Sequence, residues 1–117
     1  MAMLEALPAP IHLQPAHRAL LLALLARHLP GVTVRVFGSR VADWPASRGV
    51  KPYSDLDLAV TGRPADMALA ALRADLEDSD LPWRVDVCVL DDLPAPLQEL
   101  IALQGVVLPG PDAQNNR

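Results

Sequence analysis

The sequence predicts an α/β domain, a small mixed β-sheet of about four strands with helices packed on one face. Three observations carry that expectation. Apolar and polar residues alternate over 32–37, 56–61 and 83–90, the period of half-buried strands. Helical runs at 15–29, 64–77 and 96–104 are spaced between and after them. Gly or Pro punctuates most of the junctions, as at Pro30-Gly31, Gly38, Gly62 and Gly105.

The chain of 117 residues is sized for one domain with a single core, and leaves no room for a separate substrate domain. Whatever it modifies therefore needs a partner to present it. Hydrophobic residues make up 51% and charged residues 21%, a globular balance, and with aromatics at only 3% the core must be aliphatic. A net charge of −4 argues against direct nucleic-acid binding, which depends on a basic excess. Cys88 is the only cysteine, so no internal disulfide is expected and a reducing cytoplasm suits the chain. The N-terminal stretch, with Glu5 and Pro8, lacks the basic start and apolar run of a signal peptide, and no segment has the length of a membrane span.

Residues 1–14, with Pro8 and Pro10, read as an extended lead-in; 15–110 as the domain; and 111–117 as a flexible polar tail. A helix is expected from Pro15, with Leu21, Leu24, Leu25 and Leu29 as its apolar stripe, stopped by Pro30-Gly31. Val32, Val34 and Val36 then alternate with Thr33, Arg35 and Phe37 in a strand that ends at Gly38-Ser39. A glycine turn of this kind can leave backbone N–H groups available as a nest for phosphate oxygens. Residues 41–53, with Pro45, Gly49 and Pro52, form a long loop with room for a helical turn, and loops of that length are often functional. Within it, Trp44 suits either an interface anchor or packing back on the domain, and Arg48 and Lys51 suit steering of an anionic ligand or plain solvation.

The second strand covers Leu56 to Thr61. A helix from Pro64 to Glu77 follows, expected to turn Met67, Ala71 or Leu72, and Leu76 inward, before Asp78-Ser79-Asp80 breaks it. In the third strand Val85, Val87 and Val89 alternate with Asp86, Cys88 and Leu90. Asp91 or Asp92 is expected to cap a last helix, Pro96 to Gln104, and Val106 to Leu108 make a final short strand. His12, His17 and His28 show no metal-ligand spacing and are expected at the surface or at helix ends.

The period of the strands then places the acids. Asp55 and Asp57 sit two apart, so their carboxylates leave one face ~7 Å apart. If Leu56, Leu58 and Val60 share a buried face with Val85, Val87 and Val89, then Asp55, Asp57 and Asp86 occupy the opposite one, where Arg35 also falls. Unpaired, these carboxylates repel one another. Such a set asks for a cation, and hard oxygen donors suit magnesium, two ions of which fit at a spacing of about 3.5–4 Å.

Gly38-Ser39, the Asp-x-Asp pair at Asp55 and Asp57, and a lone Asp86 on the next strand resemble the minimal nucleotidyltransferase family of the polymerase-beta-like superfamily. The likeness runs from about Val32 to Gly110, including the closing Gly-Val-Val-Leu. It implies the nucleotidyltransferase fold and transfer of a nucleotide from ATP. Ser39 and the amides around Gly38 would hold the β and γ phosphates, with Arg40 as a further phosphate contact. Asp55 and Asp57 would bridge two magnesium ions, and Asp86 would complete one metal site and help deprotonate the acceptor hydroxyl. Fifteen residues separate Ser39 from Asp55, more than is common in the family, and the extra Asp43 to Ser47 region departs from the usual short helix there. Small members resemble antitoxins whose partner is a HEPN-domain ribonuclease toxin, to whose tyrosine they transfer AMP. The alternative function is a catalytically weak binding module that silences such a partner by occlusion.

Overall fold

Proline is tolerated in the first turn of a helix, where its missing N–H has no intrahelical partner to lose, and in the computed structural model α1 (Pro15–His28) begins there. The model describes residues 11–45 and 50–108. Arg27 and His28 occupy the last turn of α1, where cations offset the negative end of the helix dipole. Leu21, Leu25 and Leu29 are buried and Leu24 packs at the margin of the core. Gly31, at φ +79°, then reverses the chain into β1 (Val34–Phe37).

β2 (Leu56–Val60) runs antiparallel to β1, and β3 (Val85–Val89) lies parallel to β2. A parallel neighbour demands a crossover, which α2 (Asp66–Glu77) supplies. Its buried stripe is Leu69, Leu72 and Leu76. Met67, expected to face inward, is 84% exposed, because the stripe that meets the sheet starts at Leu69 and leaves position 67 on the outer side.

A 3-10 turn (Leu90–Asp92) separates β3 from α3 (Ala95–Gln104), whose N-cap is Pro94 with no side-chain cap. Asp91 and Asp92 therefore do not cap it. They belong to the 3-10 turn, and Asp92 instead accepts a 2.9 Å hydrogen bond from Arg63. β4 (Val106–Leu108) pairs antiparallel with the free side of β1, giving a four-stranded mixed sheet in the order β3-β2-β1-β4.

Val34, Val36, Leu56, Leu58, Val60, Val87 and Leu108 form the sheet's share of one aliphatic core, against which α1 and α2 pack. His28 and Asp75 tie the two helices together at 2.6 Å. Ile11, at the end of the lead-in, bridges to Val41 and is itself buried. Residues 1–10 of the expected lead-in and the expected tail lie outside the described residues. Among the described residues no helix is long and apolar enough to cross a membrane.

Candidate active site

The alternation that buries Leu56 and Leu58 completely leaves Asp57 between them on the other face of β2. Parallel register sets Asp57 directly beside Asp86 on β3, with Ala59 beside Cys88 in the next row. On the other side Asp57 pairs with Phe37, the last residue of β1, so the acids lie at the end of the sheet where β1 turns away. Asp55 precedes the strand and is exposed, two residues before Asp57.

The turn itself is tight. Gly38 has φ +85°, a left-handed conformation that favours glycine, and the Val41 amide closes the turn on the Gly38 carbonyl at 3.0 Å. A side chain at Gly38 would also collide with the Asp57 carboxylate, because a Cβ there would sit against Oδ2. Position 38 therefore has to be glycine both for its backbone and for the closeness of Asp57. Ser39 stands at the corner of this turn, half-buried.

The electrostatics follow from the packing. The Asp57 carboxyl is pushed up to about 6, first by burial and then by the negative charges of Asp86 and Asp55. Burial also raises the Cys88 thiol, with Asp86 and Asp57 adding to the shift and Arg73 opposing it, so the thiol shares the acids' surroundings. Asp86 makes a 3.2 Å ion pair with Arg84 Nε, a largely exposed partner that leaves the pair weak. Among the described residues no three acidic, histidine or cysteine side chains are already closed around a common metal position. The donor set nevertheless suits a divalent cation: Asp57 and Asp86 are adjacent, Asp55 is close enough to perturb Asp57, and all three are hard oxygen donors whose repulsion a cation would relieve.

Comparison with known proteins decides the family. Over 81 residues, 68% of this chain and 67% of the other, it is 38% identical to a Haemophilus influenzae protein named "Probable protein adenylyltransferase MntA". It is also similar to a solved structure assigned to the minimal nucleotidyltransferases, at 35% identity and a TM-score of 0.56, covering 78% of this chain and 88% of that one. The chain belongs to the minimal nucleotidyltransferase family. No family model matches it. As a minimal nucleotidyltransferase it is an enzyme with the α/β fold of that class.

One expected site residue of this nucleotidyltransferase serves a different purpose. Arg40 is 6% exposed, and its guanidinium donates to the carbonyls of Ser54 (2.9 Å), His12 (2.8 Å) and Pro52 (3.2 Å). Its Cζ lies over the Trp83 ring, 4.4 Å from the ring centroid. Burial lowers the Arg40 pKa, and the charge of Asp55 partly offsets that. The side chain is thus occupied in clamping the lead-in to the loop before Asp55, and it is not presented to a phosphate. Its position after Gly38-Ser39 suggests the nucleotide, but the turn at 38–41 swings it inward.

Other residues settle as follows. Trp44 folds back on the domain, 6.2 Å from the Phe37 ring and against the core, while Asp43 takes a φ of 60° in the following turn. Arg48 lies outside the described residues, and Lys51 is exposed. Arg35 pairs with Ala59 and Val107, and its Nε is buried with no hydrogen-bond partner among the described residues. His17 sets its ring edge-on to Trp83 at 5.6 Å.

Sequence reasoning missed Arg84 and Arg73. Both line a groove of about 610 Å³ beside the open edge of β3, together with Glu77, Trp83 and Asp86. Arg73 donates to the Val87 carbonyl at 2.8 Å, covering part of that edge. Arg84 was within reach of the period-2 rule, because it lies two residues before Asp86 and so shares its face. Arg73 gave no such signal, since its contact depends on how α2 crosses the sheet.

Proposed function

We propose that the chain transfers AMP from ATP to a protein hydroxyl, and that the acceptor is a tyrosine of a partner HEPN ribonuclease toxin for which this chain is the antitoxin. The observation that carries the reading is Asp57 held beside Asp86 on parallel strands and pressed against the Gly38 turn, with its carboxyl raised to about 6 by burial and two neighbouring acids. The name of the Haemophilus influenzae relative, a protein adenylyltransferase, supports a protein as the acceptor.

In this reading Asp55, Asp57 and Asp86 hold two magnesium ions. When bound, they would neutralise charge on the triphosphate and make the acceptor hydroxyl easier to deprotonate. Ser39 and the amides around Gly38 hold the β and γ phosphates at the turn. Asp86 accepts the proton of the acceptor hydroxyl, whose oxygen attacks the α phosphorus as pyrophosphate departs. Arg40 supports the site from behind by holding the segment that leads into Asp55.

The test uses ATP labelled at the α phosphate, magnesium and the protein encoded by the neighbouring gene. Label passing to that protein with the wild-type chain, and not with Asp55→Ala or Asp57→Ala, is the expected result. A partner that stays unlabelled while both variants still neutralise it would leave occlusion as the mode of action and refute transfer.

A further inference from the structure

We infer that Tyr53 is itself an acceptor: the chain adenylylates its own loop immediately before the metal-binding acids. This rests on the adenylyl-transfer reading above, and it adds a modification site within the chain.

Tyr53 is the only tyrosine of the chain. It lies two residues before Asp55, a separation that spans at most ~7 Å of backbone. Its side chain is 78% exposed, unusual for a large ring with no partner to cover it among the described residues. Its backbone is well held. The carbonyls on either side of it, those of Pro52 and Ser54, both accept from the Arg40 guanidinium, and the Ser54 amide closes a turn on the Lys51 carbonyl at 3.0 Å. The charge of Asp55 acts on that same guanidinium. One buried arginine therefore fixes the tyrosine's backbone and stands near the first acid of the site, while the ring itself is exposed.

The other hydroxyls of the described residues are poorly suited. Ser54 Oγ accepts from the Lys51 amide at 2.9 Å, Thr61 donates to the Thr33 carbonyl at 3.0 Å, and Ser79 donates to the Leu76 carbonyl at 2.6 Å. Thr33 precedes β1 and lies at the opposite end of the sheet from the acids. Ser39 belongs to the turn assigned to the phosphates. Among the described residues Tyr53 is left as an exposed hydroxyl at the correct end, and a phenol gives up its proton far more readily than an aliphatic alcohol.

The step balances without a further reagent. A bond forms between Tyr53 Oη and the α phosphorus of ATP, and the bond from that phosphorus to the oxygen bridging the β phosphorus breaks. Pyrophosphate leaves with the electron pair. The phenolic proton passes to the Asp86 carboxylate, and the product is a tyrosine carrying AMP through a phosphodiester.

The experiment incubates the purified full chain with magnesium and ATP labelled at the α phosphate, first alone and then, in a second arm, with the neighbouring gene's protein added. A parallel reaction uses label at the γ phosphate, and peptide mass spectrometry locates the adduct. The expected result is α label only, with one AMP on the peptide containing Tyr53. Tyr53→Phe, which keeps the ring, should reduce self-labelling to background while still labelling the neighbouring gene's protein at the wild-type rate. If that protein is labelled and Tyr53 is not, the inference is wrong and the proposed function stands. Self-labelling that persists in Tyr53→Phe also overturns it. If neither protein is ever labelled, the inference and the proposed function fall together.

Discussion

The two faces of β2 are built from consecutive residues and do opposite things. Leu56, Leu58 and Val60 are completely buried in a core shared with α1 and α2, and each lowers the free energy of the folded chain by leaving water. Asp57, one residue out of phase, is partly buried beside a second carboxylate and near a third, which raises the free energy of its charged form. The strand period separates the two roles over Leu56 to Leu58, although Ala59, on the side of Asp57, is also completely buried. Stability is concentrated on the aliphatic face, while the acid face holds repulsion that a cation can relieve.

The comparison is broken most severely at Asp57. Asp57→Asn keeps the size of the side chain, and nucleotidyl transfer measured with labelled ATP should fall by roughly 10³-fold. The same substitution should raise the thermal stability of the metal-free chain at pH 7. The sign follows from a folded-state value of about 6 against 3.8 for an unperturbed carboxyl. Between those values the unfolded chain has lost the proton and the folded chain retains it, so wild-type stability declines as pH rises from about 4 to about 6 and then levels off. Melting curves of the two proteins should coincide below that window and separate across it, with the variant higher.

On the aliphatic face Leu58→Ala should cost about 3 kcal/mol through lost burial and a residual cavity, read by denaturant unfolding. Transfer per folded molecule should be nearly unchanged, which is the reverse of the Asp57→Asn pattern. Arg40→Met tests the clamp. Losing three charge-assisted hydrogen bonds from a buried guanidinium should cost about 2 kcal/mol, with a drop in transfer arising from the loosened approach to Asp55. A normal melting temperature with a large rise in KM for ATP would instead make Arg40 a phosphate contact. The smallest effect is expected from Arg84→Ala, below about 1 kcal/mol in stability because its ion pair with Asp86 is mostly solvated.

Much of this was legible from the sequence because the period of a strand is simple. Alternating valines at 85, 87 and 89 and the Leu56-Leu58-Val60 run determine which face each acid takes, and the parallel pairing of β2 with β3 brings Asp57 beside Asp86. Helix α2 was harder to read. Its alanine-rich sequence supports two overlapping apolar stripes, and only the crossing over the sheet selects Leu69 over Met67. Asp91 and Asp92 look like caps because acids before a helix usually are, but the intervening 3-10 turn and Pro94 move the helix start beyond them. Arg40 could not be read from its neighbours. Its partners, His12, Pro52, Ser54 and Trp83, come from three distant parts of the chain, and no local pattern records that they meet.

The most direct measurement is calorimetric titration of magnesium into the chain with a non-hydrolysable ATP analogue present, repeated with Asp57→Asn. Magnesium binding to the wild-type chain that tightens as pH rises through about 6 and is lost in the variant is the expected result. Equal binding by the two proteins would mean that the acid face does not hold the metal, and would contradict the assignment of the site.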